Sequence, residues 1–538
     1  MPQSQPFAIP LTGGLNTNVN QFQLLAQPGF ARELENFEVD IDGGYRRVNG
    51  FSAFGGASAA RPNSNNAILG LFIYAGGVIA ASGTNIYFSV DGTSWLLMNR
   101  SSVSASGDNF STFSGRSTAT RTNQGQVNFA LYEGATEHGE LLITDEGGSN
   151  KPLFIKITGT GAVGNRTFFV KDITISGSAT AKVGVIHDKH FVVAGDTDNP
   201  NQLSFSGTND IDDFSSTGSG SVVIEDKIIG LQSFRDDLII FCLNSIHRLE
   251  NINNSSTIAV VPVTKNVGCL ANGSIQEIGG DLVFLSPDGI RTLAGTVRIG
   301  DVELSSVSRA IQPLIRDIVS NMANNIFTSV VLRNKSQYRI FYTTLAQSPS
   351  VSKGIIGTIR DKGFEWSETK GIQARAITSG FDTDNNEQVY HGDNDGYIYV
   401  HDTGNSFVHD GSTASIEATY QSPDFDFGDY GTRKTMNYVK ISISPEGTCQ
   451  PTLRVRYDYE DTSVPQPSDY TITNVRIPAV FGSAVFGSAE FGGTQDPMVR
   501  QTVQGTGNTT SFRIRSTDTN PPYALNGLYI DYTPINRR

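Results

Sequence analysis

The chain has 538 residues, 56 of them glycine, with 38% hydrophobic content and a net charge of −13. That length holds several domains or one repeat-built domain with an appendage, and the composition favours short strands and tight turns over helices. The acidic balance excludes a generic nucleic-acid binder, which needs clustered Lys and Arg to displace counterions.

Cys242, Cys269 and Cys449 lie far apart beside apolar residues and read as buried free thiols, neither a zinc site nor a disulfide framework. Residues 1–10 have neither a basic start nor a long apolar run, so no signal peptide is expected. No window approaches the ~20 apolar residues of a membrane helix. A soluble protein made in a cytoplasm is the expectation.

In chain order the first strong pattern is a strand pair over 69–80, pinched at Gly76-Gly77. Residues 85–90, a turn at Asp91-Gly92 and residues 94–98 predict a hairpin. The stretch from Ser89 to Trp95 resembles a shortened Asp-box, a turn motif of sialidase-like propellers that stabilises a blade turn. Gly159-x-Gly161-x-x-Gly164 matches the dinucleotide pattern, but the β-branched and aromatic run after it predicts a strand where a Rossmann site needs a helix.

Further strands are predicted at 183–194, 230–244, 281–285 with a turn at Asp288-Gly289, 337–344, and 388–400 with a turn at Asp395-Gly396. One amphipathic helix stands out over 305–325, with Val307, Ile311, Leu314, Ile315, Ile318 and Met322 on one stripe. Pro313 predicts that the main helix starts near it. Strand–turn–strand units recur loosely, on the scale of propeller blades. Residues 187–194, 235–241, 280–285 and 397–402 are alike in this sense, each an inner or second strand of a blade.

Composition shifts near residue 405. Strands at 414–420, 435–444, 453–459, 511–515 and 528–532 suffice for a small antiparallel sandwich. The expected organisation is all-β: an N-terminal arm over 1–55 that closes the ring, a β-propeller over 56–404, and a C-terminal β-sandwich-like domain over 405–538, with one short helix. Within the last, a loop over 480–493 repeats Phe-Gly every five residues and presents Phe481, Phe486 and Phe491. It either folds back on its own domain or forms an arm that packs on a neighbouring subunit.

No HExxH, P-loop, CxxC or Gly-x-Ser-x-Gly motif is present. The pairs Asp196/Asp198, Asp210/Asp212/Asp213, Asp382/Asp384 and Asp393/Asp395 fall in turns, where Asp is favoured because its side chain bonds nearby amides. No catalytic residue, cofactor or metal is expected. His187, His190, His247, His391, His401 and His409 give no ligand spacing; His187 and His190 would point to opposite faces of one strand.

Several segments, in order, resemble the tail nozzle proteins of short-tailed bacteriophages, the tail tubular protein B family. Residues 31–50 (ARELENFEVDIDGGYRRVNG) resemble the family's opening segment, in which an asparagine, an acidic Gly turn and an arginine precede a Gly. Residues 190–195 with 201–214 (NQLSFSGTNDIDDF) are similar to its strand followed by an Asp-Phe label. Residues 229–241, 286–291, 425–428 with Arg433-Lys434, and 532–538 continue the match.

The resemblance implies a non-enzymatic virion tail protein, assembled in the host cytoplasm. It implies a homohexameric ring docked on the tail adaptor, open to tail fibres, that passes double-stranded DNA without reading its sequence. On that reading Asp210, Asp212, Asp213, Asp393 and Asp395 are candidates to line the channel, where acid repels phosphate, and the three phenylalanines are candidates for the subunit interface. The alternative is a propeller that binds or depolymerises glycans. It would need convergent carboxylates with an arginine cluster, or exposed aromatic stripes.

Overall fold

Two-residue turns with left-handed backbone set the local plan. Ala75 and Gly76 (φ 52° and 67°) join Ile68–Tyr74 to Gly77–Ser82. Asp188 and Lys189 (45° and 67°) join Val183–His187 to His190–Ala194, and Gly279 and Gly280 (62° and 76°) join Gln276–Ile278 to Asp281–Ser286. Positive φ at both turn residues matches the right-handed twist of the flanking strands and keeps each hairpin tight. The computed structural model describes residues 3–25, 27–41, 43–98, 113–114, 125–134, 137–147, 150–161, 166–175, 180–294, 306–344, 347–361, 363–382, 385–473 and 498–535.

The hairpins are the inner halves of propeller blades. Blade 1 runs from Ile68–Tyr74 out to Leu96–Leu97, and blade 2 from Val127–Tyr132 to Thr167–Asp172, with Phe113–Ser114 outside it. Blade 3 runs from Val183–His187 to Gly220–Val223, and blade 4 from Ile228–Phe234 to Ala259–Thr264. A three-stranded sheet, ending at Gly289–Thr292, stands between blade 4 and blade 5. Blade 5 holds Ile326–Leu332, Gln337–Thr343, Lys353–Arg360 and Gly363–Lys370; blade 6 opens with Ala376–Phe381, Glu387–Gly392 and Ile398–His401. The first strands pack side by side around one axis, so the molecule is an all-β propeller of six blades plus the short sheet.

Blade 6 is completed from the other end of the sequence. Phe51–Ala53 lies antiparallel to Ile398–His401, with Tyr399 opposite Ala53, and Phe407–His409 then pairs parallel to it. Phe51 fixes the insertion by packing against His391, Tyr399, Phe407 and His409 at ring distances of 4.7–5.1 Å. The chain enters through Gly50, where a Cβ would lie 1.9 Å from the Ser406 carbonyl oxygen. We therefore expect Gly50→Ala to lower unfolding stability by about 3 kcal/mol, the upper range for forced overpacking, as read from a urea midpoint at unchanged m-value. A change within ~0.5 kcal/mol would show that this crossing yields without cost.

Beside the propeller, two sheets pack face to face as a sandwich. One contains Phe37–Val39, Tyr45–Arg47, Tyr523–Pro534, Lys434–Pro445 and Met498–Thr502, with Gln5–Pro10 also paired to the long Tyr523–Pro534 strand. The other contains Glu33–Glu35, Ile416–Gln421, Thr510–Asp518, Thr452–Tyr457 and Tyr470–Thr471. Their inner faces share one core, including Val439, Ile441, Leu525 and Ile530 against Tyr420, Val455, Phe512 and Ile514. The second sheet continues into blade 5, because Glu33–Glu35 lies beside Gly363–Lys370, giving nine strands in all.

These pairings cross the boundaries expected at residues 55 and 404. Most of the N-terminal arm belongs to the sandwich, only Phe51–Ala53 enters the ring, and the blade 6 sheet extends to Ser412–Ala414. The helix is Gln312–Ser320, with Pro313 in its first turn, where a missing N–H costs nothing. It buries Ile315 and Ile318, and Ile311 just before it, in the large core. Trp366 donates its indole N–H to the Val307 carbonyl (2.9 Å) and Trp95 to that of Ala60 (2.8 Å), so both tryptophans are packing residues. Thr167–Asp172 is a strand, which rules out a dinucleotide helix after Gly161.

Candidate functional site

The most charged interior of the molecule lies where the N-terminal arm meets blades 5 and 6. On Phe37–Val39 the alternation of a strand sends Phe37 and Val39 into the sandwich core and Glu38 to the opposite side. Gln337 and Arg339, two residues apart on one strand, share a face, and Lys335 sits in the turn leading to them. His401 ends its strand, and Asp402 follows with φ 62°.

Glu38 and Arg339 are each about 2% exposed and bond at 2.8 Å. Glu38 also receives Lys335 (2.9 Å), Arg46 (3.0 Å) and the Gln337 amide (3.2 Å). Asp402 pairs with Lys335 at 2.7 Å and lies 3.5 Å from Arg339. Arg339 donates to the Gln337 Oε1 (2.8 Å) and to His401 Nε2 (3.0 Å), and His401 Nδ1 meets His391 Nδ1 at 3.1 Å.

The electrostatics follow from burial and charge together. Burial alone would raise the Glu38 and Asp402 carboxyls, but Lys335 and Arg339 outweigh it and hold both below the usual range. Burial, reinforced by the Arg339 charge, pushes His401 down to about 3. Burial, then His401 and His409, pushes His391 well below its ordinary value. His401 is therefore a neutral acceptor for Arg339. The cluster is enclosed, so what it does is lock three elements together.

The flanking residues work toward the same end. Asn36 (φ 54°) donates to the Lys370 and Glu417 carbonyls at 2.9 and 2.8 Å, and accepts from Thr369 and from the Lys370 N–H at 2.8 and 2.9 Å. One side chain thereby stitches the propeller to the sandwich. Arg47, fully buried, reaches the Asp518 carboxylate (2.7 Å), the Asp518 carbonyl (2.6 Å) and the Asn520 carbonyl (3.0 Å). Phe427 packs on Phe7 (5.2 Å) and Tyr532 (4.5 Å), and the buried Lys434 ammonium donates to the Asn508 carbonyl (3.0 Å).

The residues expected to line a channel fall elsewhere. Asp210, Asp212 and Asp213 sit in the connection between Gln202–Phe205 and Gly220–Val223, the outer strands of blade 3. Asp210 is exposed, Asp212 pairs with Lys171 of blade 2, and Asp213 accepts from the Ser215 N–H (2.7 Å) and hydroxyl (2.6 Å), bonds that hold its carboxyl below the usual range. Asp393 is buried, with Oδ1 accepting from the Asp395 and Tyr397 amides and Oδ2 from the Tyr399 hydroxyl (2.9 Å). Burial pushes it up to about 6. Asp395 is exposed at the tip of the same turn. Neither turn borders the propeller axis, because both join strands outside the innermost one. The loop with Phe481, Phe486 and Phe491 lies outside the described residues, as does Asp384.

Other expectations also changed. His187 and His190 face each other in register across a hairpin rather than following along one strand. His187 bonds Ser233 (2.9 Å), while His190 bonds the Ser206 carbonyl (2.6 Å) and Asn253 (2.9 Å). Among the described residues no group of His, Cys, Asp and Glu is arranged to hold a metal. Cys242, Cys269 and Cys449 are buried and free, and burial raises their thiols to about 12, 12 and 11. Ser89 Oγ accepts from the Gly92 N–H (2.9 Å) and Asp91 Oδ1 from the Thr93 N–H (2.9 Å), so the Asp-box-like stretch pins a turn. The ion cluster escaped the sequence reading, although a charged residue between two apolar strand neighbours, as at Glu38 and Arg339, is a usable signal.

Radial sheets around one axis, closed by an N-terminal strand, define a β-propeller protein. No family model and no curated protein sequence matches the chain. Among solved structures it is similar to the extracellular domain of a one-component system from B. thetaiotaomicron, at TM-score 0.37 and 10% identity, over 68% of this chain and 41% of that one. An exo-β-1,3-galactanase from Phanerochaete chrysosporium aligns at TM-score 0.27 and 8% identity, over 90% of this chain and all of that one. The AfRom2 CNH domain aligns at 0.34 and 11%, over 64% and 99%. The chain thus spans about two fifths of the bacterial domain's length. Overlaps this loose carry no argument about function.

Proposed function

We propose that the chain is a structural subunit of a short-tailed phage tail, a nozzle protein that assembles as a ring, a homohexamer, on the tail adaptor. In that role it forms the distal channel for genome ejection, supports fibres and catalyses no reaction. One observation carries this reading. Residues 31–50, which resemble the nozzle family's opening segment, supply Asn36 and Glu38, which join the sandwich to blades 5 and 6, and lead through Gly50 into the strand that closes the propeller. A subunit that must keep its shape while DNA moves past gains from such a joint, since buried ion networks specify one arrangement of the elements they join.

The net charge of −13 supports a surface that does not retain DNA. At ~0.15 M salt only acidic groups within ~8 Å of the passing duplex would be felt. Asp210 and Asp395, being exposed, are available to such a surface if copies of the chain surround the channel. Sedimentation and negative-stain imaging, with and without the adaptor, test the assignment. The expected result is weak self-association alone and a stable ring with a central hole on the adaptor. A monomer that never associates with tail components overturns it.

A further inference from the structure

At the propeller axis lies a cavity of about 280 Å³, outside the ion cluster and independent of the nozzle reading. Its polar groups are unevenly satisfied. Asn128 spends its amide hydrogens on Glu146 Oε1 (3.1 Å) and the Lys182 carbonyl (3.0 Å). Asn272 spends its own on Asn128 Oδ1 (3.1 Å) and Glu146 Oε1 (3.4 Å). Gln276 donates to the Ser329 carbonyl (3.0 Å) and Gln126 to the Arg375 carbonyl (2.5 Å).

Asn128 and Asn272 have both amide hydrogens engaged, whereas Gln126 and Gln276 each spend one of two. Gln126 Oε1 is buried with no partner, and among the described residues Glu146 Oε2, Gln276 Oε1 and the Thr378 hydroxyl take no hydrogen bond. Burial raises the Glu146 carboxyl, which Asn128 and Asn272 only partly offset. Phe72 and Phe129, stacked at 5.5 Å, add an apolar patch to the wall.

A wall that offers unfilled acceptors beside unfilled amide and hydroxyl donors matches a ligand whose groups both donate and accept. A cation fits poorly, because Lys182 and Lys227 line the adjoining space and Glu146 is the one carboxylate in the cavity wall among the described residues. A volume near the small end of ligand pockets, roughly 300–1,000 Å³, suits a single ring-sized molecule. We propose that the axial cavity binds one neutral sugar residue, its hydroxyls bonding Glu146, Gln276 and Thr378 and its apolar face resting on Phe72 and Phe129.

Saturation-transfer NMR and calorimetry on the full chain, with methyl glycosides of glucose, galactose and mannose, test this. At least one glycoside should bind with a Kd of roughly 1–10 mM. Glu146→Gln should weaken it about tenfold, the loss of one hydrogen bond to a charged group. Should that variant fail to fold, Thr378→Val, a near-isosteric change on the cavity wall, should still weaken binding severalfold with an unchanged melt. The proposal is overturned if no glycoside binds, if both folded variants bind like the parent, or if ethylammonium or methylguanidinium binds more tightly than every glycoside.

Discussion

Replacing Arg339 with Met should destabilise the chain by about 3–5 kcal/mol, the usual cost of removing one partner from a buried ion pair. Arg339 is 2% exposed and serves Glu38, Gln337 and His401 at once, with Asp402 3.5 Å away. Its loss leaves two carboxylates facing Lys335 and Arg46 and takes the donor from His401. Glu38→Gln should cost a similar amount. The double variant should lose ~1–3 kcal/mol less than the sum, because the two changes break one shared interaction. Arg515→Ala offers the contrast: it breaks an ion pair to Glu417 whose side chains are 48% and 42% exposed, and should cost no more than ~1 kcal/mol. Urea midpoints would measure all four. Strict additivity of the Glu38 and Arg339 changes would show that they do not act as a unit.

Stability should also fall as the pH drops from about 6.5 to 4.5. His391 and His401 are 1% and 4% exposed, and both are held below their ordinary range. In this window the unfolded chain binds protons at two histidines that the folded chain excludes, so each contributes a loss of up to ~1.4 kcal/mol per unit. Asp393 opposes them. Its folded value of about 6 lies above that of an unfolded aspartate, so its contribution is present in acid and fades as the pH rises from ~4 to ~6, cancelling about one histidine. His187, His247 and His409 are also lowered by burial and add smaller increments of the histidine sign, while Glu35, Glu146, Glu368 and Asp424, raised by burial, add increments of the Asp393 sign. Below ~pH 4 the losses steepen as Glu38 and Asp402, held low by their cations, are forced to protonate. Asp393→Asn should steepen the fall between pH 6 and 4.5, by about 1.4 kcal/mol per unit. Replacing both His391 and His401 with Gln should flatten or invert it. A flat profile in the unaltered chain would mean that the histidines take up protons without unfolding.

What could be read from the sequence was what local chemistry determines. The paired strands at 69–80, the turns at Asp91-Gly92 and Asp395-Gly396, and the helix started by Pro313 each carry their signal within a few residues. The path of residues 1–55 does not. Glu33–Glu35 and Phe51–Ala53 pair with strands more than 300 residues away, and no periodicity records such a partner. The ion cluster was hidden for the same reason, since Glu38, Lys335, Arg339 and Asp402 come from three distant stretches. Asp393 was misread because a turn aspartate looks alike whether its turn is exposed or folded under a tyrosine. Only Tyr399, six residues on, separates the two cases.

The strand at Phe51–Ala53 also has a consequence in time. Its antiparallel partner, Ile398–His401, is synthesised some 350 residues later. At ~5–20 residues per second the ribosome takes about 20–70 s to deliver it. Blades 1 to 5 emerge in order during that interval and can pair within themselves. The N-terminal strand cannot, and it waits as an unpaired edge beside a half-built ring. Such edges invite wrong partners, and contacts of this sequence separation form slowly. Refolding of the purified chain should therefore include a slow, concentration-sensitive phase, the moment at which Phe51–Ala53 meets the strand that completes its blade.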